Sequence, residues 1–135
     1  MGAWGVLAFD NDDANDWAYG LDGVGDLSLV ESAFDQLEAV GAGYLEAPVA
    51  SNALAACEVL ARLGGRPGYI NAYTEKVDVW VALHKIVPPT NLINRGGKAI
   101  DRLLGADSEL RELWDEARDE PWLAAVADLR SRLTG

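Results

Sequence analysis

Apolar residues recur at intervals of three and four along most of this chain, which predicts helices. Val30, Ala33, Phe34, Leu37 and Val40 mark one buried helical face behind Ser28-Leu29-Val30-Glu31, whose spacing is that of a capping box. Gly41 and Gly43 end it, and Pro48 opens a longer, alanine-rich helix that runs to Gly64-Gly65. On that helix Ser51, Ala55, Glu58 and Arg62 fall within a stripe of about 60°, and everything opposite is apolar. Such a helix belongs at the centre, with this stripe as its polar edge. Residues 75–87, after the cap residue Thr74, are apolar over more than half their circumference and carry His84 on that broad face as a core imidazole. Val77, Val79 and Val81 alternate like a strand, but no second strand-like run exists to pair with them.

Pro88-Pro89 breaks the chain before a face of Leu92, Ile93, Ile100, Leu103 and Leu104, in which Gly96-Gly97 marks a weak point or a site of tight packing. Asp107-Ser108 caps a helix holding Leu110, Leu113 and Trp114. Glu120-Pro121 starts the last one, with Trp122, Val126, Leu129 and Leu133 inward and Arg130 and Arg132 in its final turn. The opening differs. Residues 2–9 have no helical start signal and read as an extended arm whose rings, Trp4 and Phe9, insert into the body. Asn11 or Asp12 then caps a short helix over about 12–21 that includes Trp17. The sum is an all-α bundle of six or seven helices with an extended N-terminal arm, one domain over residues 1–135.

Charge placement changes this picture more than composition does. Residues 1–61 hold eleven acids and no Lys or Arg, while residues 62–135 hold eleven of each, so the whole net charge of −11 belongs to the first half. A surface of that sign repels phosphate backbones, which argues against nucleic acid and for cations or a basic protein partner. No apolar run reaches the ~18 residues of a membrane span. No basic region precedes the first apolar residues, and the single Cys57 cannot form an internal disulfide, so a reducing cytoplasm is the expected setting.

The acids concentrate where the arm meets the first helix. Asp10, Asp12, Asp13 and Asp16 are the residues expected to bind a basic partner, and Trp4, Phe9, Asn11 and Trp17 to anchor the arm beneath them. Asp10, Asp12 and Asp16 are also hard oxygen donors of the kind Ca²⁺ or Mg²⁺ takes, which gives an alternative reading as a divalent-cation site or metal-dependent hydrolase. An EF-hand loop begun at Asn11 fails at its sixth position, where Asp16 stands in place of Gly. Glu58, four residues before Arg62 in the favourable order for a helical ion pair, is expected to accept backbone N–H groups of residues 4–12 and hold the arm down. No Walker loop, Cys-x-x-Cys or His-x-x-x-His occurs, so no cofactor, resident metal or catalytic residue is implied.

Trp4-Gly5, Phe9-Asp10-Asn11-Asp12, Ala14 and Asp16-Trp17 together resemble the opening signature of the bacterial family of domains of unknown function 4259. The similarity continues through Tyr44-Leu45-Glu46-Ala47-Pro48, Ala53-Leu54-Ala55-Ala56, Glu58-Val59, Asp107-Ser108-Glu109-Leu110 and Glu112-Leu113-Trp114 to Asp128-Leu129-Arg130 and Arg132-Leu133. Cys57 departs from it, standing where alanine is expected. The resemblance implies a single cytoplasmic bacterial domain and brings no activity with it.

Overall fold

The computed structural model describes residues 3–117 and 120–135. Gly2, the first residue of the expected arm, lies outside them. Among the described residues there are seven α-helices: α1 (Asp12–Ala18), α2 (Ser28–Val40), α3 (Ala47–Leu63), α4 (Glu75–His84), α5 (Thr90–Leu104), α6 (Glu109–Glu116) and α7 (Glu120–Thr134). A 3-10 turn over Tyr19–Leu21 extends α1. Extended pairing among the described residues is limited to two isolated bridges, Ala3 with Asn11 and Leu45 with Ser108. The class is all-α, as the periodicity requires.

The bundle is organised around α3, which touches all six other helices. Its run of small residues allows that approach: Ala50, Ala53, Ala55, Ala56 and Ala61 are all buried. The expected polar edge of this helix is a correction. Ser51, Glu58 and Arg62 are 6%, 1% and 4% exposed, so the stripe lies inside the protein, where a counter-charge from α7 makes its burial tolerable.

Gly96 of α5 explains how closely the central helices meet. A β-carbon there would lie 3.0 Å from Leu133 Cδ2, 3.1 Å from Cys57 Sγ and 3.4 Å from Phe34 Cζ, neighbours on α7, α3 and α2. Gly97, one residue on, faces open space. We therefore expect Gly96→Val to cost about 1–3 kcal/mol through overpacking. Gly97→Ala should gain roughly 0.5–1 kcal/mol through helix propensity. Urea unfolding of both variants checks this, and equal effects at the two positions would contradict the packing described.

Three local expectations are revised. Ser28 is the first residue of α2 and not its cap. Leu27 holds the cap position, and the Ser28 N–H donates to Asp26 Oδ1 at 3.0 Å, so an upstream carboxylate has taken the role. Residues 75–84 are helical, but α4 packs at the margin, leaving Val79 and Leu83 exposed and His84 only half-buried. The His84 ring rests on Trp80, with Nδ1 2.9 Å from the Trp80 carbonyl. Its apolar face is wider than the neighbours available to cover it. No helix among the described residues is long and apolar enough to cross a membrane.

Candidate functional site

The expected arm is not extended. Residues 3–11 close into a loop in which the Trp4 N–H donates to the Asp10 carbonyl and the Asp10 N–H to the Leu7 carbonyl, both at 2.9 Å. The Asp10 side chain completes it, Oδ2 accepting the Leu7 N–H at 3.1 Å. Gly5 is required here, because a β-carbon would collide with that carboxylate. Asn11 caps α1 as expected, its Oδ1 taking the Ala14 N–H at 2.8 Å while its Nδ2 donates to the Ala8 carbonyl at 3.1 Å. Asn15 fixes the loop to the helix. Its Nδ2 reaches both the Phe9 carbonyl, at 2.7 Å, and the Asn11 carbonyl, at 2.8 Å.

Closing the loop decides which rings go inward. Phe9 is wholly buried, and Trp17 packs partly buried against the core. Trp4 does not insert: it is 48% exposed and its ring lies 5.0 Å from that of Tyr73. The backbone bond from residue 4 to residue 10 puts it on the outer side of the loop. The anchor is therefore Phe9, with Trp4 covering a second surface ring.

Glu58 is likewise not a clamp on the arm, where Asp10 itself takes the Trp4 and Leu7 N–H groups. Oε1 accepts Arg62 Nε at 3.1 Å and Arg132 Nη1 at 2.7 Å, and Oε2 accepts Arg132 Nη2 at 3.0 Å. The expected pair with Arg62 is present, and Arg62 also reaches Asp78 at 2.6 Å. Both guanidinium groups lie over the Tyr69 ring, at 4.8 and 5.9 Å. Burial, and then the Glu58 charge, push the Tyr69 phenol upward in pKa. Sequence reasoning assigned Arg132 to the helix dipole; nothing in the spacing joins it to a residue 74 positions earlier.

Four acids of the first half have drawn bases from the second. Lys76 pairs with Asp22, Arg95 with Asp35 and Glu38, and Arg62 and Arg132 with Glu58. The cluster on the loop and α1 has not. Asp12, Asp13 and Asp16 are exposed on the outer side of α1, and among the described residues no Lys or Arg comes within ion-pair distance of them or of Asp10. Nor are Asp10, Asp12 and Asp16 assembled as a ligand set. Asp10 turns inward to Leu7, and among the described residues no group of three or more His, Cys, Asp and Glu stands close enough to hold a cation.

Beside this cluster is a cavity of about 240 Å³ that sequence reasoning missed. The loop supplies Val6 and Leu7, α1 supplies Asp13, α3 supplies Ser51 and Leu54, and α6 and α7 supply Glu109, Trp114 and Trp122. The two indoles stack nearly parallel, 5.9 Å apart. Glu109 Oε1 accepts the Ala47 N–H at 2.7 Å, which caps α3 from α6 and fixes the cavity wall. The bridge between Leu45 and Ser108 holds the same junction. Five separate segments meet here, so no local motif announces the cavity.

The nucleophiles point elsewhere. Cys57 is wholly buried against the Gly96 carbonyl, and burial, then the adjacent Glu58 charge, push its thiol pKa upward. His84 is engaged with Trp80 on α4. The arrangement offers a negative rim and an apolar, aromatic recess.

No curated protein and no solved structure matches this chain. A family model described as a domain of unknown function, DUF4259, matches residues 2–125, nearly the whole length, and the chain therefore belongs to that family.

Proposed function

We propose that this protein is a cytoplasmic, non-enzymatic interaction protein that docks a basic protein partner on Asp10, Asp12, Asp13 and Asp16. One observation carries the reading. Bases of the second half pair with Asp22, Asp35, Glu38 and Glu58, whereas Asp10, Asp12, Asp13 and Asp16, like the scattered Asp26, Glu31 and Glu46, form no ion pair among the described residues, and the four aspartates are crowded within seven positions. Crowded like charges repel one another, and although the positive end of the α1 dipole offsets part of that repulsion, a basic partner would relieve it further. The same field disfavours nucleic acid. The lone buried Cys57 suits a reducing compartment.

The test is a pull-down with the wild type and with Asp12→Asn/Asp13→Asn/Asp16→Asn. These side chains are exposed, so the triple variant should keep its fold, and partner affinity should fall roughly tenfold or more. The captured basic protein should also elute at raised salt. Identical capture by both proteins would overturn the reading.

A further inference from the structure

We propose that the cavity beside the acidic cluster receives an arginine side chain of the docked partner. The inference rests on the docking reading above and adds where the partner is anchored. Size comes first. At about 240 Å³ the cavity falls below the roughly 300–1,000 Å³ of sites that enclose a whole small molecule, and suits a single long side chain.

Charge comes next. Two carboxylates, Asp13 and Glu109, line the cavity, and among the described residues no basic side chain does. Glu109 uses Oε1 on the Ala47 N–H, and its Oε2 has no hydrogen bond within the described residues. An anionic or phosphorylated ligand is repelled by this pair, whereas a cation is attracted.

The walls choose among cations. Val6, Leu54 and Trp114 offer apolar surface to an aliphatic stem, and the Trp114–Trp122 stack offers a π system to a flat cation. A guanidinium is planar, weakly hydrated and able to give a carboxylate two hydrogen bonds, all of which an ammonium lacks. Ser51 also lines the cavity, and a serine hydroxyl there can accept a hydrogen bond from a guanidinium.

The test follows the indole N–H and backbone amide NMR signals of the full chain during titration with a capped hexapeptide of alternating arginine and glycine. Its citrulline counterpart keeps the shape and loses the charge. The arginine peptide should shift the Trp114 and Trp122 indoles, and the citrulline peptide should bind at least tenfold more weakly. Ser51→Leu, which fills the cavity and leaves Asp10, Asp12, Asp13 and Asp16 in place, should abolish the indole shifts while those at Asp12 and Asp16 persist. Glu109→Gln serves if Ser51→Leu does not fold. Its amide oxygen still accepts the Ala47 N–H, and affinity for the arginine peptide should fall about fivefold.

Shifts at Asp12 and Asp16 with unmoved Trp114 and Trp122 would overturn the cavity proposal and leave the docking reading standing. Absence of any shift would overturn both. Equal binding of the citrulline peptide, or unchanged affinity in Glu109→Gln, would also overturn the cavity proposal.

Discussion

Phe9→Ala is expected to lower the stability of the protein by about 3–5 kcal/mol, and Trp4→Ala by only about 1 kcal/mol. The two rings sit five residues apart in one loop, yet their surroundings differ. Phe9 is fully buried in the core, so truncation removes its whole transfer free energy and leaves a cavity behind. Trp4 is nearly half in water, and what it loses is its contact with Tyr73. The hydrogen bond from Asn15 to the Phe9 carbonyl survives either change, so the loop should loosen without leaving. Urea unfolding of both variants reads the difference as a shift in midpoint at constant slope. Equal losses would mean that the loop is held by something other than its single buried ring.

Glu58→Ala should be as damaging, again about 3–5 kcal/mol, because it strips a shared partner from two guanidinium groups. Arg62 has a side chain 1% exposed and Arg132 one 12% exposed, so neither is free to turn into water. Both would remain over the Tyr69 ring, each keeping one peripheral partner, Asp78 or Asp128, but without the buried carboxylate that lies between them. A melting midpoint lower by roughly 10–20 °C is the expected reading. The loss should persist in 1 M salt, since a buried pair is little screened. Asp101→Asn, which breaks an exposed pair with Arg130, should by contrast cost less than about 1 kcal/mol. A loss for Glu58→Ala as small as that would show the cluster to be solvated.

The buried faces of α2 and α7 were legible from spacing. Val30, Ala33, Phe34 and Leu37 of α2, and Trp122, Val126, Leu129 and Leu133 of α7, are all buried as the intervals of three and four require. The central place of α3 was legible as well, because a long alanine-rich helix fits only where others approach it closely. What the sequence hid depends on distant partners. A polar stripe reads as a solvent edge unless one knows that Arg132 returns to it from the far end of the chain. The choice between Phe9 and Trp4 rests on a backbone bond across the loop, and hydropathy carries no sign of that.

The candidate site divides in the same way. Asn11 as a cap and the acidic run after it follow from local preferences, so they could be read directly. That Asp22, Asp35 and Glu38 would find basic partners while Asp12, Asp13 and Asp16 would not depends on where α4 and α5 place Lys76 and Arg95. The cavity needs five segments at once and leaves no trace in any one of them.

The most direct test of the proposed role is to map where a plain polycation lands. Capped hexalysine, titrated into the isotope-labelled protein at about 0.15 M salt, meets a Debye length of ~8 Å, so binding reports local charge and not the net value of −11. The amides of Asp12, Asp13 and Asp16 should shift first and furthest, with smaller changes at Asp35 and Glu38, half of whose charge Arg95 already balances. Shifts spread evenly over all the exposed acids would contradict the view that the unpaired cluster on α1 is the docking surface.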